Sequence, residues 1–212
     1  MSGQRAGRRR SLLFPHGEKK RGIPYDSWIT VEPSAESDPK IEDEKFKFLA
    51  ADGCNLPFRD ATFDTILNIQ VLEHTFEPFK MFEEGIRVLK PGGKAIFLVP
   101  QTATLHLAPY HYQNFLRYWL IEAAHRCNCE VVLLQPLGGW WSTISSRCVY
   151  FFLSAFRRGG NSTLEYKRNF LFFILLPFMI LYALISIPTC LILSLGDLTE
   201  EPNNNLMIVT KK

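Results

Sequence analysis

The sequence predicts an α/β protein with a mostly parallel sheet, followed by an apolar helical membrane insertion near the C-terminus. Three observations lead there. Short β-type runs alternate with segments of helical periodicity from Trp28 to Leu134, the pattern of βαβ units. One run, Lys94-Ala-Ile-Phe-Leu-Val99, is almost continuously apolar, as suits a strand in the middle of a parallel sheet. Residues 170–195 carry no charged side chain at all.

In chain order, residues 1–27 are rich in Gly, Arg and Lys and read as an irregular basic arm. Trp28-Ile-Thr-Val-Glu32 is a short strand stopped by Pro33, and the acidic, polar stretch 34–44 reads as loop. Phe46 to Ala51 is a second strand, ending at Asp52-Gly53, and Phe63 to Ile69 is a third. A helix is expected from about Pro78, a residue suited to the first turn. Phe79, Phe82, Ile86 and Leu89 give that helix one apolar face, and Lys90-Pro91-Gly92-Gly93 supplies its stop. After the strand 94–99, a loop containing Pro109 leads to a second helix over about 113–127. Its buried stripe is Phe115/Leu116, Trp119/Leu120 and Ala123/Ala124. Glu130 to Leu134 is a fifth strand, closed by Pro136 and Gly138-Gly139. Leu206 to Thr210 is a final strand, preceded by a turn at Asn203-Asn-Asn205.

A chain of 212 residues suits one domain with an appendage. Its net charge of +3 is uneven: residues 1–22 hold seven Lys or Arg against one acid. That arm lacks interleaved aromatics, so no nucleic-acid partner is expected. The five cysteines match no zinc spacing, and His125, Cys127 and Cys129 read as thiols at a helix–strand junction. No metal is expected, and a reducing compartment is the default. No apolar region follows Arg10, which argues against a secretory signal peptide.

In an open α/β sheet, ligands bind at the carboxyl ends of strands. Glu32 and Asp52 end the first two strands there, where one carboxylate can accept both hydrogen bonds of a ribose diol and the other can meet a purine amine; loop solvation or helix capping is the alternative for both. Asp52-Gly-Cys-Asn-Leu-Pro-Phe58, Phe63-Asp64, Val71-Leu-Glu-His74 and Arg87-Val-Leu-Lys-Pro-Gly-Gly93 together resemble the class I S-adenosylmethionine-dependent methyltransferases of the ubiquinone/menaquinone type. The resemblance covers roughly 28–100. It implies a Rossmann-like sheet, S-adenosylmethionine as cofactor, Glu32 on the ribose hydroxyls, and Asp52 on the adenine with the Gly53 and Cys54 backbone nearby. It also implies that Asn68 to Gln70 line the cofactor pocket. Arg87 to Gly93 is family-typical but structural.

Glu73-His74 is a candidate general base, with packing before a helix as the other reading. His106 and His111, flanked by Tyr110 and Tyr112, lie where the family places acceptor-binding residues. No catalytic residue is assigned. The family also begins with a strand and a glycine-rich loop. No such motif precedes Glu32, because Gly3, Gly7, Gly17 and Gly22 follow no strand pattern. The sheet is therefore expected to lack its usual first strand. The chain is either part of a longer product or a non-catalytic, methyltransferase-like membrane protein.

As one helix, the apolar block would be about 39 Å long, enough to cross a bilayer core of about 30 Å. Arg157, Arg158, Lys167 and Arg168 precede it, and Asp197, Glu200 and Glu201 follow it, which puts the N-terminal flank on the cytoplasmic side. A simple span would strand the last β-run across the membrane. A re-entrant or in-plane hairpin, bent at Pro177 or Pro188, avoids this. The expected organisation is a basic arm (1–27), a partial methyltransferase domain (28–156), a membrane-associated apolar segment (157–200) and a returning strand (201–212). The expected function is methyl transfer to a small-molecule or lipid-linked acceptor, by a membrane-associated protein whose catalytic domain is cytoplasmic.

Overall fold

The computed structural model describes residues 25–37, 44–155 and 168–212. Most of the basic arm, its glycines, and Arg157, Arg158 and Lys167 lie outside the described residues. The chain divides into two compact units, Met1–Phe58 and Arg59–Lys212.

In the first unit, β1 (Trp28–Glu32) and β2 (Phe46–Ala50) pair in parallel, from Trp28 opposite Phe46 to Glu32 opposite Ala50. The second unit holds β3 (Phe63–Ile69), α1 (Pro78–Val88), β4 (Leu89–Pro100), α2 (Arg117–Arg126), β5 (Cys129–Leu137), α3 (Trp140–Ala155), α4 (Phe170–Leu193) and β6 (Asn204–Lys211). Its sheet runs β3-β4-β6-β5. β3 and β4 are parallel, and β6 runs antiparallel to both of its neighbours.

The core follows from alternation on two strands. Ala95, Phe97 and Val99 of β4 and Met207 and Val209 of β6 are buried, and the register sets Ala95 opposite Val209 and Phe97 opposite Met207. α1 brings Phe82 and Ile86 onto this face, with the Phe82 ring stacked on Phe97 at 4.3 Å. Burying one such ring contributes roughly 2–3 kcal/mol. α2 adds Leu120, Ala123 and Ala124. The Lys211 ammonium donates to the carbonyls of Ile86 (2.8 Å), Arg87 (3.0 Å) and Leu89 (2.8 Å), satisfying backbone acceptors that a helix end leaves open.

Several elements depart from the sequence reading. α1 ends at Val88, just before Lys90 to Gly93 as expected, but those residues already belong to β4, which begins at Leu89 rather than Lys94. Gly92 adopts φ +74° there, and a Cβ on Gly93 would come within 2.9 Å of the Asp64 carbonyl. α2 begins at Arg117, four residues later than expected. The Phe115 N–H donates to the Pro100 carbonyl at 2.7 Å, and its own carbonyl accepts from Asn205, which holds this segment out of the helix. β5 continues through Pro136 to Leu137, as an edge strand permits.

α3 was not expected at all, and the apolar block does not break into two helices at its prolines. α4 is a single 24-residue helix containing both Pro177 and Pro188. Each proline removes one backbone donor, and the remaining turns carry the helix past it. Asn169 caps the start, its Oδ1 accepting from the Phe172 N–H at 2.9 Å. α3 and α4 pack together as an antiparallel pair. Arg168, before α4, donates to the Ser154 carbonyl at the end of α3 at 2.5 Å. Asp197, after α4, accepts from the Trp141 N–H at the start of α3 at 2.8 Å. The buried positions are small: Ser145 and Cys148 on α3, Ala183 and Cys190 on α4. Large apolar side chains such as Phe170, Phe178, Tyr182 and Ile192 face outward. This is one helix long and apolar enough to cross a membrane, with mean hydropathy 2.7 and 6% burial in its most apolar stretch.

Candidate functional site

In the first unit, the strand pairing brings the two sequence-predicted acids to one edge. Glu32 is the last residue of β1 and is half-buried. Its carbonyl accepts from the Ala51 N–H at 2.9 Å, so the chain leaves β2 beside the end of β1. Asp52 follows immediately and is exposed. Its Oδ1 accepts from the Cys54 N–H at 2.9 Å, and its carbonyl accepts from the Asn55 N–H at 3.0 Å. That local turn is what an aspartate side chain favours. It fixes Gly53, and it buries Cys54 to 5% exposure. Carboxylates are acceptor-only groups, the chemistry that a ribose diol and an adenine amine both require.

In the second unit, the carboxyl ends of β3 and β4 meet the start of β6. Gln70 follows β3 with φ +55°. Its N–H donates to the Leu98 carbonyl at 2.8 Å, and its side-chain amide donates to Asn204 Oδ1 at 2.8 Å. Gln101 and Asn205 continue this polar edge: the fully buried Asn205 donates to Gln101 Oε1 at 2.8 Å. Asn68 donates to the Met81 sulfur at 3.7 Å, while its Oδ1 is buried with no partner. The Asn203-Asn-Asn205 run, expected to be only a turn, therefore supplies side chains that brace the strand ends.

A third group was only partly anticipated. Glu73 and His74 lie in a one-turn 3-10 helix, Leu72–His74, ahead of α1. The loop after β4 folds over this turn. The Tyr112 N–H donates to the Glu73 carbonyl at 2.9 Å, and the His74 Nδ1 lies 2.7 Å from the Tyr110 carbonyl. His106 and His111 belong to the same loop, with ring centroids 5.0 and 5.8 Å from that of His74. Tyr110 and Tyr112 are exposed beside them. Glu73 is completely buried, and neither carboxylate oxygen has a hydrogen-bond partner. Burial is the main cause that pushes its carboxyl up to about 7. Burial, with the His106 charge adding to it, pushes the His111 imidazole below its ordinary value.

Residues 22–97 match the methyltransferase domain family. An uncharacterised protein of Methanocaldococcus jannaschii is 44% identical over 87 residues, 41% of this chain and 42% of that protein. A demethylmenaquinone methyltransferase of Clavibacter sepedonicus is 33% identical over 75 residues, 35% of this chain and 31% of that enzyme. The chain thus spans less than half the length of these curated relatives. Among solved structures, the protein bound to the Haloferax volcanii Trm112 methyltransferase activator has a TM-score of 0.54 at 14% identity, over 88% of this chain and 72% of that one. A protein of Galdieria sulphuraria, assigned as a sarcosine dimethylglycine methyltransferase, has a TM-score of 0.52 at 12% identity, over 88% and 70%. At such identities the likeness is one of fold. The matched residues resemble the methyltransferase domain family, and the fold is the Rossmann-like one of the solved methyltransferases.

Proposed function

We propose that this chain transfers a methyl group from S-adenosylmethionine to a small-molecule acceptor held at a membrane surface. The observation that carries the reading is the match over residues 22–97, which takes in Glu32, Asp52, Gly53, Cys54 and Gln70. Glu32 would accept from the ribose hydroxyls. Asp52 would accept from the adenine amine through the carboxylate oxygen not engaged by Cys54, with the Gly53 and Cys54 backbone alongside the base. When bound, the cofactor supplies a methyl group already activated on a sulfonium. The protein's part is then to hold donor and acceptor in line, because proximity accounts for most of the acceleration in such transfers.

The acceptor side of the proposal is supported by the loop after β4, which offers the exposed Tyr110 and Tyr112 at the carboxyl end of the sheet. Membrane association is supported by the α3–α4 pair, whose outer face is apolar while its inner positions are small, the arrangement favoured in lipid. The pair leaves the sheet after β5 and returns to it at β6, so both ends sit on one side. A lipid-linked acceptor is consistent with that placement.

The test is methyl-group labelling. Membranes containing the chain are incubated with methyl-tritiated S-adenosylmethionine and extracted with organic solvent. Label in the lipid phase that disappears with Glu32→Ala supports the whole reading. Label confined to water-soluble products removes the lipid-linked acceptor. No label above that of the variant contradicts the activity.

A further inference from the structure

We propose that Glu73, His74 and His106 form a binding site for one divalent transition-metal ion, of the two-histidine, one-carboxylate kind that Zn2+ favours. The residues come from two loops at the carboxyl edge of the sheet, and one candidate ligand atom from each lies within 4.8 Å of the other two.

Two independent features point to a cation. The first is Glu73, which is fully buried with both carboxylate oxygens unpartnered. Its nearest basic atom is His74 Nε2, 3.8 Å from Oε1 and beyond hydrogen-bond reach. Buried without a partner, the carboxyl keeps its proton more readily than an exposed one, and a metal ion that displaces that proton would satisfy both oxygens.

The second feature is the orientation of the two imidazoles. His74 Nδ1 lies 2.7 Å from the Tyr110 carbonyl, and His106 Nδ1 lies 2.9 Å from the Thr104 carbonyl. A carbonyl only accepts, so each Nδ1 carries the proton and each Nε2 becomes the coordinating nitrogen. Metal-bound histidines are held in this way by backbone carbonyls. His111 is arranged differently. Its Nδ1 accepts from the His106 N–H at 3.3 Å, and its Nε2 lies 3.3 Å from Asn114 Oδ1. Both nitrogens are engaged within the loop, so His111 positions His106 and is not a ligand.

Zinc bonds of about 2.0–2.2 Å in a tetrahedron set ligand atoms about 3.4 Å apart. Closing from 4.8 Å to that spacing brings the ligand atoms about 1.4 Å nearer one another. Three protein ligands leave a fourth position for an oxygen donor, the pattern of zinc sites that also take a ligand. That this oxygen belongs to the methyl acceptor is the only part resting on the methyltransferase reading.

The test is metal binding by the full chain, purified in detergent without a histidine tag and stripped with chelator. Titration with Co2+ in the absence of S-adenosylmethionine, followed by its visible d–d absorption, should give one equivalent, displaced by Zn2+. Glu73→Gln and His106→Ala should each weaken binding at least tenfold with the circular dichroism unchanged, while Cys127→Ser leaves it intact. Absence of cobalt absorption overturns the proposal. So does binding that survives both variants, or that Cys127→Ser removes.

Discussion

The side-chain amide of Gln70 donates to Asn204 Oδ1 at 2.8 Å, joining the end of β3 to the start of β6 across 134 residues of sequence. The contact ties the end of β3 to the strand that re-enters the sheet after the apolar helices. A half-buried neutral hydrogen bond of this kind contributes about 1 kcal/mol. Gln70→Ala and Asn204→Ala are each expected to destabilise the fold, and the double variant to cost less than their sum by about 1 kcal/mol. Denaturant unfolding of the four proteins measures this coupling. Full additivity would mean that the contact carries no stability.

Gly93 lies in the irregular stretch of β4 between Leu89, opposite Phe63, and Lys94, opposite Thr65. A methyl group there would lie 2.8 Å from Leu89 Cδ1 and 2.9 Å from the Asp64 and Lys90 carbonyls. Two of those neighbours are backbone and cannot move aside without disturbing the β3–β4 ladder. Gly93→Ala is expected to cost about 1–3 kcal/mol. Gly92→Ala, with open space but φ +74°, is expected to cost about 1 kcal/mol, from backbone strain alone. Thermal unfolding of both variants distinguishes the two causes by their order.

Asp197 caps α3 from the far end of α4. Its Oδ1 accepts from Trp141 N–H, and its Oδ2 accepts from Ser142 N–H at 3.0 Å and from the Ser142 hydroxyl. Burial alone would raise the carboxyl, but the bonds from Ser142, Trp141 and Leu198 outweigh it and hold the group below its usual range. A depressed folded-state value means that the stabilisation is present above the unfolded value of about 3.9 and is lost as pH falls through the folded one. Asp197→Ala is expected to cost about 1–2 kcal/mol near neutral pH. The difference from wild type should shrink below about pH 4. A gap that is constant with pH would contradict the capping role.

All five cysteines are free thiols, and four are buried. Cys127, the half-buried one, has its thiol pushed up to about 11, chiefly by burial and further by Cys129 and Glu83. At pH 8 its thiolate population is a few hundredfold below that of a free cysteine of pKa about 8.5. Iodoacetamide at pH 8 should therefore label the native chain slowly and the denatured chain at all five positions. Rapid native labelling at Cys127 would contradict this packing.

The readable parts of the fold were those with local punctuation. β1 is bounded by Pro33, α1 opens at Pro78, and both have the expected extent to within one residue. The start of α2 was not readable, because Phe115 fits the apolar period yet is held outside the helix by bonds to Pro100 and Asn205. α3 escaped because it is built inside out: small Ser145 and Cys148 are buried, while Leu153 and Tyr150 face outward. A search for an apolar inner stripe misses such a helix. The positions of Glu32 at the end of β1 and of Asp52 just beyond β2 were legible from the strand pattern. The convergence of Glu73 and His74 with His106 was not, since it depends on a loop folding back across more than thirty residues, stitched by backbone bonds from Tyr112 and to Tyr110.

The most direct measurement is a calorimetric titration of the detergent-purified chain with S-adenosylhomocysteine, beside a Glu32→Ala, Asp52→Ala double variant. Micromolar binding by wild type that the double variant loses, with both proteins folded, is the predicted result. No detectable binding by a folded wild-type chain would contradict the cofactor assignment, and would leave a methyltransferase-like fold with a non-catalytic role.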